Sequence, residues 1–165
     1  MHVLIVDDEK NCLEDIKLAL QPTNFQLVLE TCAFKALQLY IMQSFDAVIT
    51  DYKMADISGL DLMQSILHYN YKAKIILITA FSDFDTAINA VNNNAYAFFS
   101  KPVDFQEVIK CLKQIEIESK QEEKPDKTQQ KINFKNLQNL TINNKYFQLS
   151  SSYKKICEEL KKRKP

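Results

Sequence analysis

The sequence predicts an α/β fold in which a parallel β-sheet is covered by helices on both faces. Apolar runs alternate with segments of helical periodicity five times over residues 1–119, and the connections between them are short. The central runs lack alternating polar residues, as expected of strands buried on both faces. With 165 residues, of which 46% are hydrophobic, the chain can form one ordinary core with a modest appendage.

Five predicted strands share a short apolar run that ends at a polar or charged residue. They are residues 2–6, 25–30, 46–51, 74–79 and 96–100. Because crossovers between parallel strands are right-handed, few arrangements remain, and the flavodoxin-like order 2-1-3-4-5 is favoured. We therefore expect a flavodoxin-like, doubly wound, five-stranded parallel sheet with a small C-terminal appendage.

Each predicted strand is followed by a segment with apolar residues at helical spacing. These helices are residues 11–21, 33–43, 58–69, 83–93 and 104–119. Pro22 ends the first helix, and Ser58 can cap the third. The residues expected to face inward are Leu13, Ile16 and Leu20, then Leu37, Tyr40 and Ile41, then Leu62, Ile66 and Leu67, and finally Phe105, Val108, Leu112 and Ile115.

Polar side chains follow four of the predicted strands at the points where the strands end. Asp7 and Asp8 follow the first, Asp51 ends the third, Thr79 ends the fourth and Lys101 follows the fifth. The carboxyl ends of parallel strands meet at one edge, where open α/β sheets bind their ligands. Asp51 alone could be an ordinary solvated loop acid. The polar residues at the ends of three other strands favour a functional site instead.

The chemistry of these side chains indicates a cation and an anion at the same edge. Three crowded carboxylates repel one another and tend to hold a proton unless a cation joins them. A hard divalent ion with carboxylate, carbonyl and water ligands suits magnesium. Lys101 adds a positive charge beside Asp51, and Thr79 offers a hydroxyl near the place of an extra oxygen group. The pattern predicts transfer of an anion onto a carboxylate.

Residues 1–119 resemble the receiver domain of bacterial two-component response regulators. Four segments carry the resemblance, in the order and at the spacings of that family. They are VDDE at residues 6–9, DYKMADISG at 51–59, ITA at 78–80 and FFSKP at 98–102. Each segment alone is a weak signal, whereas the four together are specific.

The resemblance implies a role for each residue of the predicted site. Asp51 would be the phosphoacceptor. Asp7, Asp8 and Asp51 would hold Mg²⁺ together with the backbone carbonyl of Lys53. Lys101 would pair first with the carboxylate of Asp51 and then with the phosphoryl group.

The resemblance also implies a conformational switch. Thr79 would move toward the phosphoryl oxygens while Phe98 turns inward. The signalling surface would be formed by predicted helix 83–93, the fifth strand and the last helix, and a cis bond would precede Pro102. A phosphate at the sheet edge adds charge and acceptors that can bias such a two-state element.

These features predict a two-component response regulator, which is a signalling protein and not an enzyme, although it assists its own phosphotransfer and autodephosphorylation. A sensor histidine kinase or phosphotransfer protein would supply the phosphoryl group. The signalling surface would control partner binding or homodimerisation. One alternative is a DNA-binding transcriptional regulator with a truncated or atypical output domain. A phosphoaspartate-type hydrolase is a remote alternative, because the chain lacks a segment for a substrate cap.

The sequence departs from the family pattern at several positions. Ala55 stands where proline is usual. Asn94 replaces a frequent glycine, and asparagine tolerates a positive φ better than most residues. Lys53 and Phe81 occupy the rim positions where attacking water would approach, which suggests slow hydrolysis of an acyl phosphate.

The charge is uneven along the chain despite a formal net charge of zero. Residues 1–120 contain 16 acids and 10 bases, whereas residues 131–165 contain 2 acids and 9 bases. We interpret residues 120–131 as a polar linker or helix extension. Residues 132–165 are predicted to form a hairpin and a helix. DNA binding by this chain alone is not expected, since a helix-turn-helix needs a second helix.

No window approaches the roughly 20 consecutive apolar residues that a membrane helix requires, so we expect a cytoplasmic protein that makes no contact with a membrane. The cysteines lack metal-ligand spacing, which favours reduced thiols over a zinc site. They are Cys12, Cys32, Cys111 and Cys157. His68 is expected to be an ordinary solvent-facing residue and not a phosphotransfer histidine.

Overall fold

The computed structural model describes residues 1–55, 57–80 and 94–122. The chain divides into two units, Met1–Gln121 and Glu122–Pro165, and the sheet lies in the first unit. Several predictions lie outside the described residues. They concern the helix at 83–93, the rim residue Phe81, Cys157, and the hairpin and helix at 132–165.

The strands form one parallel sheet in the order β2-β1-β3-β4-β5, so the predicted fold class is confirmed. The strands are β1 His2–Val6, β2 Gln26–Glu30, β3 Ala47–Asp51, β4 Ile75–Thr79 and β5 Ala97–Ser100. Every residue of β3 and β4 is buried. In the register, Asp51 pairs with Ile78 and Thr79 pairs with Ser100, which aligns the carboxyl ends of the central strands.

Four helices are described, and each begins within one residue of its predicted start. They are α1 Lys10–Leu20, α2 Ala33–Met42, α3 Gly59–Tyr69 and a long helix, Phe105–Glu122. The long helix runs three residues past the predicted end at 119, so the predicted linker begins as a helix extension. An ion pair between Glu116 and Lys120, with 3.2 Å between Oε1 and Nζ, supports this turn. None of the described helices is both long and apolar enough to cross a membrane.

The core on one face of the sheet is formed by α1 and the long helix. Side chains from alternate strand positions, such as Ile5, Ile49 and Ile78, pack there against both helices. The predicted inward residues of α1 are buried, as are Val108, Leu112 and Ile115 of the long helix. Phe105 is only partly buried and packs at the margin of this core.

The predicted inward faces of α2 and α3 are correct in part. Ile41 and Leu67 are only partly buried. Ala36 and Met63 are buried in their helices instead. Ala33, Ala36, Leu37 and Tyr40 repeat at helical spacing and form the buried stripe of α2, which leaves Ile41 at its margin. His68 is exposed, as expected.

Local backbone features agree with the sequence-based expectations. The Oγ of Ser58 accepts a hydrogen bond from the backbone N–H of Asp61 at 3.2 Å, so Ser58 caps α3. The Lys101–Pro102 peptide bond is cis, and Asn94 has a φ of 64°.

Candidate functional site

The buried polar residues of the described chain lie together at the carboxyl edge of the sheet. Asp7 is 2% exposed, Thr50 0%, Asp51 7% and Thr79 1%, and apart from the tyrosine Tyr40 no other residue with a polar or charged side chain is buried within the described ranges. These residues lie at or next to the ends of β1, β3 and β4. Burial of charged and polar groups lowers the stability of the fold unless these groups are paired. In the described residues, this unfavourable burial occurs mainly at the carboxyl edge of the sheet.

Lys101 joins the two buried carboxylates. Its Nζ is 2.7 Å from Oδ1 of Asp51 and 3.5 Å from Oδ2 of Asp7. Burial lowers the pKa of Lys101, but the hydrogen bond that Lys101 donates to Asp51 and the charges of both carboxylates outweigh this effect and raise the pKa overall. Lys101 therefore stays positively charged.

One ammonium does not balance two carboxylates. Burial raises the pKa of Asp7, and the charge of Asp51 acts in the same direction. The backbone N–H of Glu9, which donates to Oδ1 of Asp7 at 2.9 Å, and the charge of Lys101 oppose this shift without cancelling it. The pocket thus has excess negative charge that a cation could neutralise.

The carboxylate of Asp51 is oriented by contacts to both of its oxygens. Oδ1 faces Lys101, and Oδ2 accepts the backbone N–H of Lys53 at 2.8 Å. The backbone continues from β3 into the next loop through a hydrogen bond from Tyr52 N–H to the carbonyl of Ile78 at 2.7 Å. Asp51 is consequently held by the sheet and by its own loop.

Gly59, the only glycine in the chain, permits the close approach of α3 to the end of β3. A Cβ at this position would lie 1.9 Å from the carbonyl oxygen of Asp51 and 3.1 Å from Oγ1 of Thr50. The N–H of Gly59 donates to the carbonyl of Tyr52 at 2.9 Å. The absence of a side chain therefore lets the loop fold back beneath Asp51.

Asp8 is held apart from the other predicted metal ligands. It is exposed, and its Oδ2 accepts the backbone N–H of Ala55 at 2.8 Å. Within the described parts of the chain, no three His, Cys, Asp or Glu side chains are close enough together to hold a metal ion. The donor set fits magnesium in its chemistry, as three carboxylates and a carbonyl at one edge of the sheet.

A family model for the response regulator receiver domain matches residues 3–113. The chain belongs to this family. Three of the four motif segments of the resemblance lie entirely within the described residues, and they meet at the edge that holds Asp7, Asp51 and Lys101. The match includes residues of all five strands of the sheet and the residues Asp7, Asp51 and Lys101.

Curated relatives and solved structures extend the similarity. The chain is 38% identical over 105 residues to the response regulator protein PilR of Pseudomonas aeruginosa, a match that covers 61% of this chain and 23% of PilR. It is 27% identical over 108 residues to the transcriptional regulatory protein ZraR of Klebsiella oxytoca, covering 66% of this chain and 24% of ZraR. The chain therefore spans about a quarter of the length of these relatives.

The structural similarity covers the receiver domain almost completely. A receiver domain protein from Clostridium thermocellum superposes with a TM-score of 0.68 at 28% identity, covering 72% of this chain and 96% of that one. A CheY-like receiver domain protein from Methanospirillum hungatei has a TM-score of 0.67 at 22% identity, which shows the shared fold.

The predicted switch residues of the receiver domain lie on adjacent strands. Thr79 ends β4 and is buried, and its carbonyl accepts the N–H of Lys101 at 2.7 Å. Phe98 lies in β5, where it pairs with Leu77 of β4, and it is partly buried. Because strand side chains alternate, Phe98 lies on the face opposite Phe99, which packs against the core of α1 and the long helix.

One residue of the receiver site was not predicted from sequence. The Sγ of Cys12 lies 4.0 Å from Nζ of Lys101 and 3.7 Å from Oε2 of Glu9. Burial raises the pKa of Cys12, and the charge of Asp7 adds to this shift, so the thiol remains protonated. Its position one turn into α1, directly after the acidic strand end, was the available signal. As expected, the described cysteines are free thiols.

Proposed function

We propose that this receiver domain accepts a phosphoryl group on Asp51 from a phosphohistidine of a sensor histidine kinase or phosphotransfer protein. The observation that carries this proposal is the arrangement of Asp51. Its two oxygens face Lys101 at 2.7 Å and the N–H of Lys53 at 2.8 Å, at an edge where buried Asp7 adds negative charge. This arrangement orients a nucleophilic carboxylate and keeps it beside a fixed positive charge.

The proposed reaction is a displacement at phosphorus. An oxygen of the Asp51 carboxylate bonds to phosphorus as the bond from phosphorus to the imidazole nitrogen breaks, and the imidazole leaves with that electron pair. Charge in such a loose transition state is spread over the phosphoryl oxygens. The ammonium of Lys101, which stays protonated, stabilises this charge from a preorganised position.

Mg²⁺ is the proposed cofactor, held by Asp7, Asp8, Asp51 and the carbonyl of Lys53. When bound, this ion neutralises charge on the phosphoryl oxygens. The raised pKa of Asp7 supports a cation site, because a buried carboxylate with too little positive charge nearby favours any cation that joins it.

The product is an acyl phosphate, in which a phosphoryl group carrying about −1.5 to −2 replaces the single negative charge of the Asp51 carboxylate and presents three hydrogen-bond acceptors. We infer that Lys101 and the hydroxyl of Thr79 then turn toward these oxygens, and that Phe98 moves inward. The change would reach the surface formed by residues 83–93, β5 and the long helix. That surface would control partner binding or homodimerisation until water hydrolyses the acyl phosphate, a step that Lys53 at the rim is expected to slow.

We propose a cytoplasmic location. The described cysteines are free thiols, which is typical of a reducing compartment. This location also gives access to the phosphohistidine of a cytoplasmic kinase domain.

A second candidate function is transcriptional regulation through DNA. It is favoured by the similarity to the transcriptional regulatory protein ZraR and by the basic character of residues 131–165. Retention of duplex DNA with a steep salt dependence, lost when residues 131–165 are deleted, would support it. Unchanged behaviour after the deletion would favour a module that binds proteins.

Phosphorylation by a small-molecule phosphodonor tests the main proposal. The full chain is incubated with acetyl phosphate and Mg²⁺, and the intact mass is followed. We expect a labile mass increase of one phosphoryl group. Asp51→Asn should abolish it, and Lys101→Met should slow it by about 10²-fold. Asp46→Asn is the matched control, since Asp46 lies at the opposite end of β3, where it accepts the N–H of His2. Full labelling of Asp51→Asn would refute the proposal.

A further inference from the structure

A hydrogen bond ties the loop that follows β1 to the loop that follows β3. The backbone N–H of Ala55 donates to Oδ2 of Asp8 at 2.8 Å, across 47 positions of sequence. We call this contact the Ala55–Asp8 latch. Both residues are exposed, in contrast to Asp7 and Asp51, which are buried.

We propose that the Ala55–Asp8 latch holds Asp8 outside the metal site of the metal-free protein, so that magnesium and the amide of Ala55 compete for the same carboxylate. This inference rests on the proposed function, because it takes Asp8 as a ligand of the proposed Mg²⁺ site. The Ala55–Asp8 latch would control metal binding through a hydrogen bond that does not follow from membership of the family.

The distribution of contacts among the three carboxylates supports the latch. Asp7 and Asp51 converge on Lys101. Asp8 instead accepts the N–H of Ala55, in the loop that follows β3. The described residues contain no group of three acids arranged for a metal. On the proposal, a metal that joins Asp8 to Asp7 and Asp51 turns the carboxylate of Asp8 away from Ala55.

The strength of the latch suits exchange with a metal. A hydrogen bond to an ionised carboxylate is stronger than one between neutral groups. Water competes for both partners at an exposed position, which reduces the net gain. The bond is thus strong enough to orient Asp8 in the metal-free protein and weak enough to be replaced when a divalent cation binds.

The donor of the latch depends on one feature of position 55. A backbone N–H is present in every residue except proline. This chain has alanine where the family pattern usually has proline, so it has a donor that the usual pattern lacks. Ala55→Pro removes the donor, and Ala55→Gly keeps it. The pair of variants separates loss of the hydrogen bond from loss of the methyl group.

Calorimetric titration with Mg²⁺ alone tests the competition. We expect Ala55→Pro to bind Mg²⁺ about three- to tenfold more tightly than the wild type, in line with the net strength of an exposed charge-assisted hydrogen bond. Ala55→Gly should match the wild type, and Asp8→Asn should bind much more weakly than either. Equal affinity of Ala55→Pro and the wild type, with Asp8→Asn still impaired, would overturn the latch and leave the proposed metal site standing. Unimpaired Asp8→Asn would instead overturn that metal site.

Amide hydrogen exchange in the wild-type protein provides a readout that needs no proline variant. The amide of Ala55 should be protected without metal and should lose its protection at saturating Mg²⁺. Asp8→Asn keeps a carbonyl acceptor, so Asp8→Ala is the control that should lose protection without metal. Protection that persists at saturating Mg²⁺ would overturn the proposal, because Asp8 would then bind metal and Ala55 together. This measurement also decides the matter if Ala55→Pro fails to fold.

Discussion

The carboxylates at the two ends of the sheet differ in how well they are paired. At the amino end, Glu118 accepts hydrogen bonds from Lys74 at 2.9 Å, Tyr96 at 2.8 Å and Gln114 at 3.2 Å, and these contacts lower the pKa of Glu118. At the carboxyl end, two buried carboxylates share one lysine, and the pKa of Asp7 is raised.

The difference matches the proposed function, in which the carboxyl end holds the reacting carboxylate and the amino end only supports the fold. The amino end is also reinforced by aromatic packing, with the rings of His2 and Phe45 stacked at 4.4 Å and those of Tyr40 and Tyr69 edge to face at 6.4 Å. At the carboxyl end, the described residues include one ammonium, that of Lys101, in contact with two buried carboxylates. Functional sites commonly retain such unfavourable arrangements because the reaction needs them.

The largest effect is expected from Gly59→Ala, which breaks the close packing at the carboxyl end. The new Cβ would meet the carbonyl oxygen of Asp51 at 1.9 Å, and backbone atoms cannot rotate away as a side chain can. We expect a loss of about 3 kcal/mol or more in the free energy of unfolding, at or above the upper range for overpacking. Urea unfolding followed by circular dichroism measures it.

A matched alanine substitution on the exposed part of α2 controls for Gly59→Ala. Met42 is exposed, so Met42→Ala should change the free energy of unfolding by less than about 0.5 kcal/mol. The labelling of Asp51 should fall in Gly59→Ala and stay normal in Met42→Ala. If Gly59→Ala unfolded like the wild type, the close approach of α3 to β3 would not be a constraint on this fold.

Asp7→Asn sharpens the comparison by removing charge from the carboxyl end. Because the pKa of Asp7 is raised mainly by burial, its ionised form destabilises the folded protein at neutral pH. Asparagine keeps an oxygen that can accept the N–H of Glu9. We expect Asp7→Asn to stabilise the metal-free protein by about 1–2 kcal/mol while weakening Mg²⁺ binding.

The pH dependence of Asp7→Asn fixes the sign of this effect. The folded protein binds a proton at Asp7 more tightly than the unfolded chain does, because the pKa of Asp7 is near 3.8 in the unfolded chain and is raised in the folded protein. As pH falls through the raised folded pKa toward 3.8, the wild type gains stability from Asp7 and the advantage of Asp7→Asn shrinks. An advantage that grew on acidification would contradict the assignment of excess negative charge to this pocket.

Sequence reasoning predicted the sheet order and the edge where Asp7, Asp51, Thr79 and Lys101 meet, because strand ends follow directly from apolar runs. It did not predict that Asp8 is bound to Ala55, since a contact between two loops depends on backbone direction and not on residue type. The burial of Met63 in place of Leu67 was missed for a related reason: the rotation of a helix about its axis is set by packing.

The smallest effect is expected at the amino end, from Tyr96→Phe. Glu118 keeps its contacts with Lys74 and Gln114 in this variant, so the loss should be below about 1 kcal/mol at neutral pH. Burial, together with the hydrogen bond to Glu118 and its charge, raises the pKa of Tyr96 to about 12 from 10.0.

The wild type should therefore lose stability relative to Tyr96→Phe as pH rises from 10 toward about 12, because the unfolded chain releases this proton first. Urea unfolding of both proteins below pH 10 and near pH 12 measures the change. Labelling of Asp51 at neutral pH should be equal in the two proteins, since the substitution lies at the end of the sheet remote from Lys101. A labelling defect in Tyr96→Phe would mean that the two ends of the sheet are coupled. The amino end would then affect the reaction at Asp51 and not only the stability of the fold.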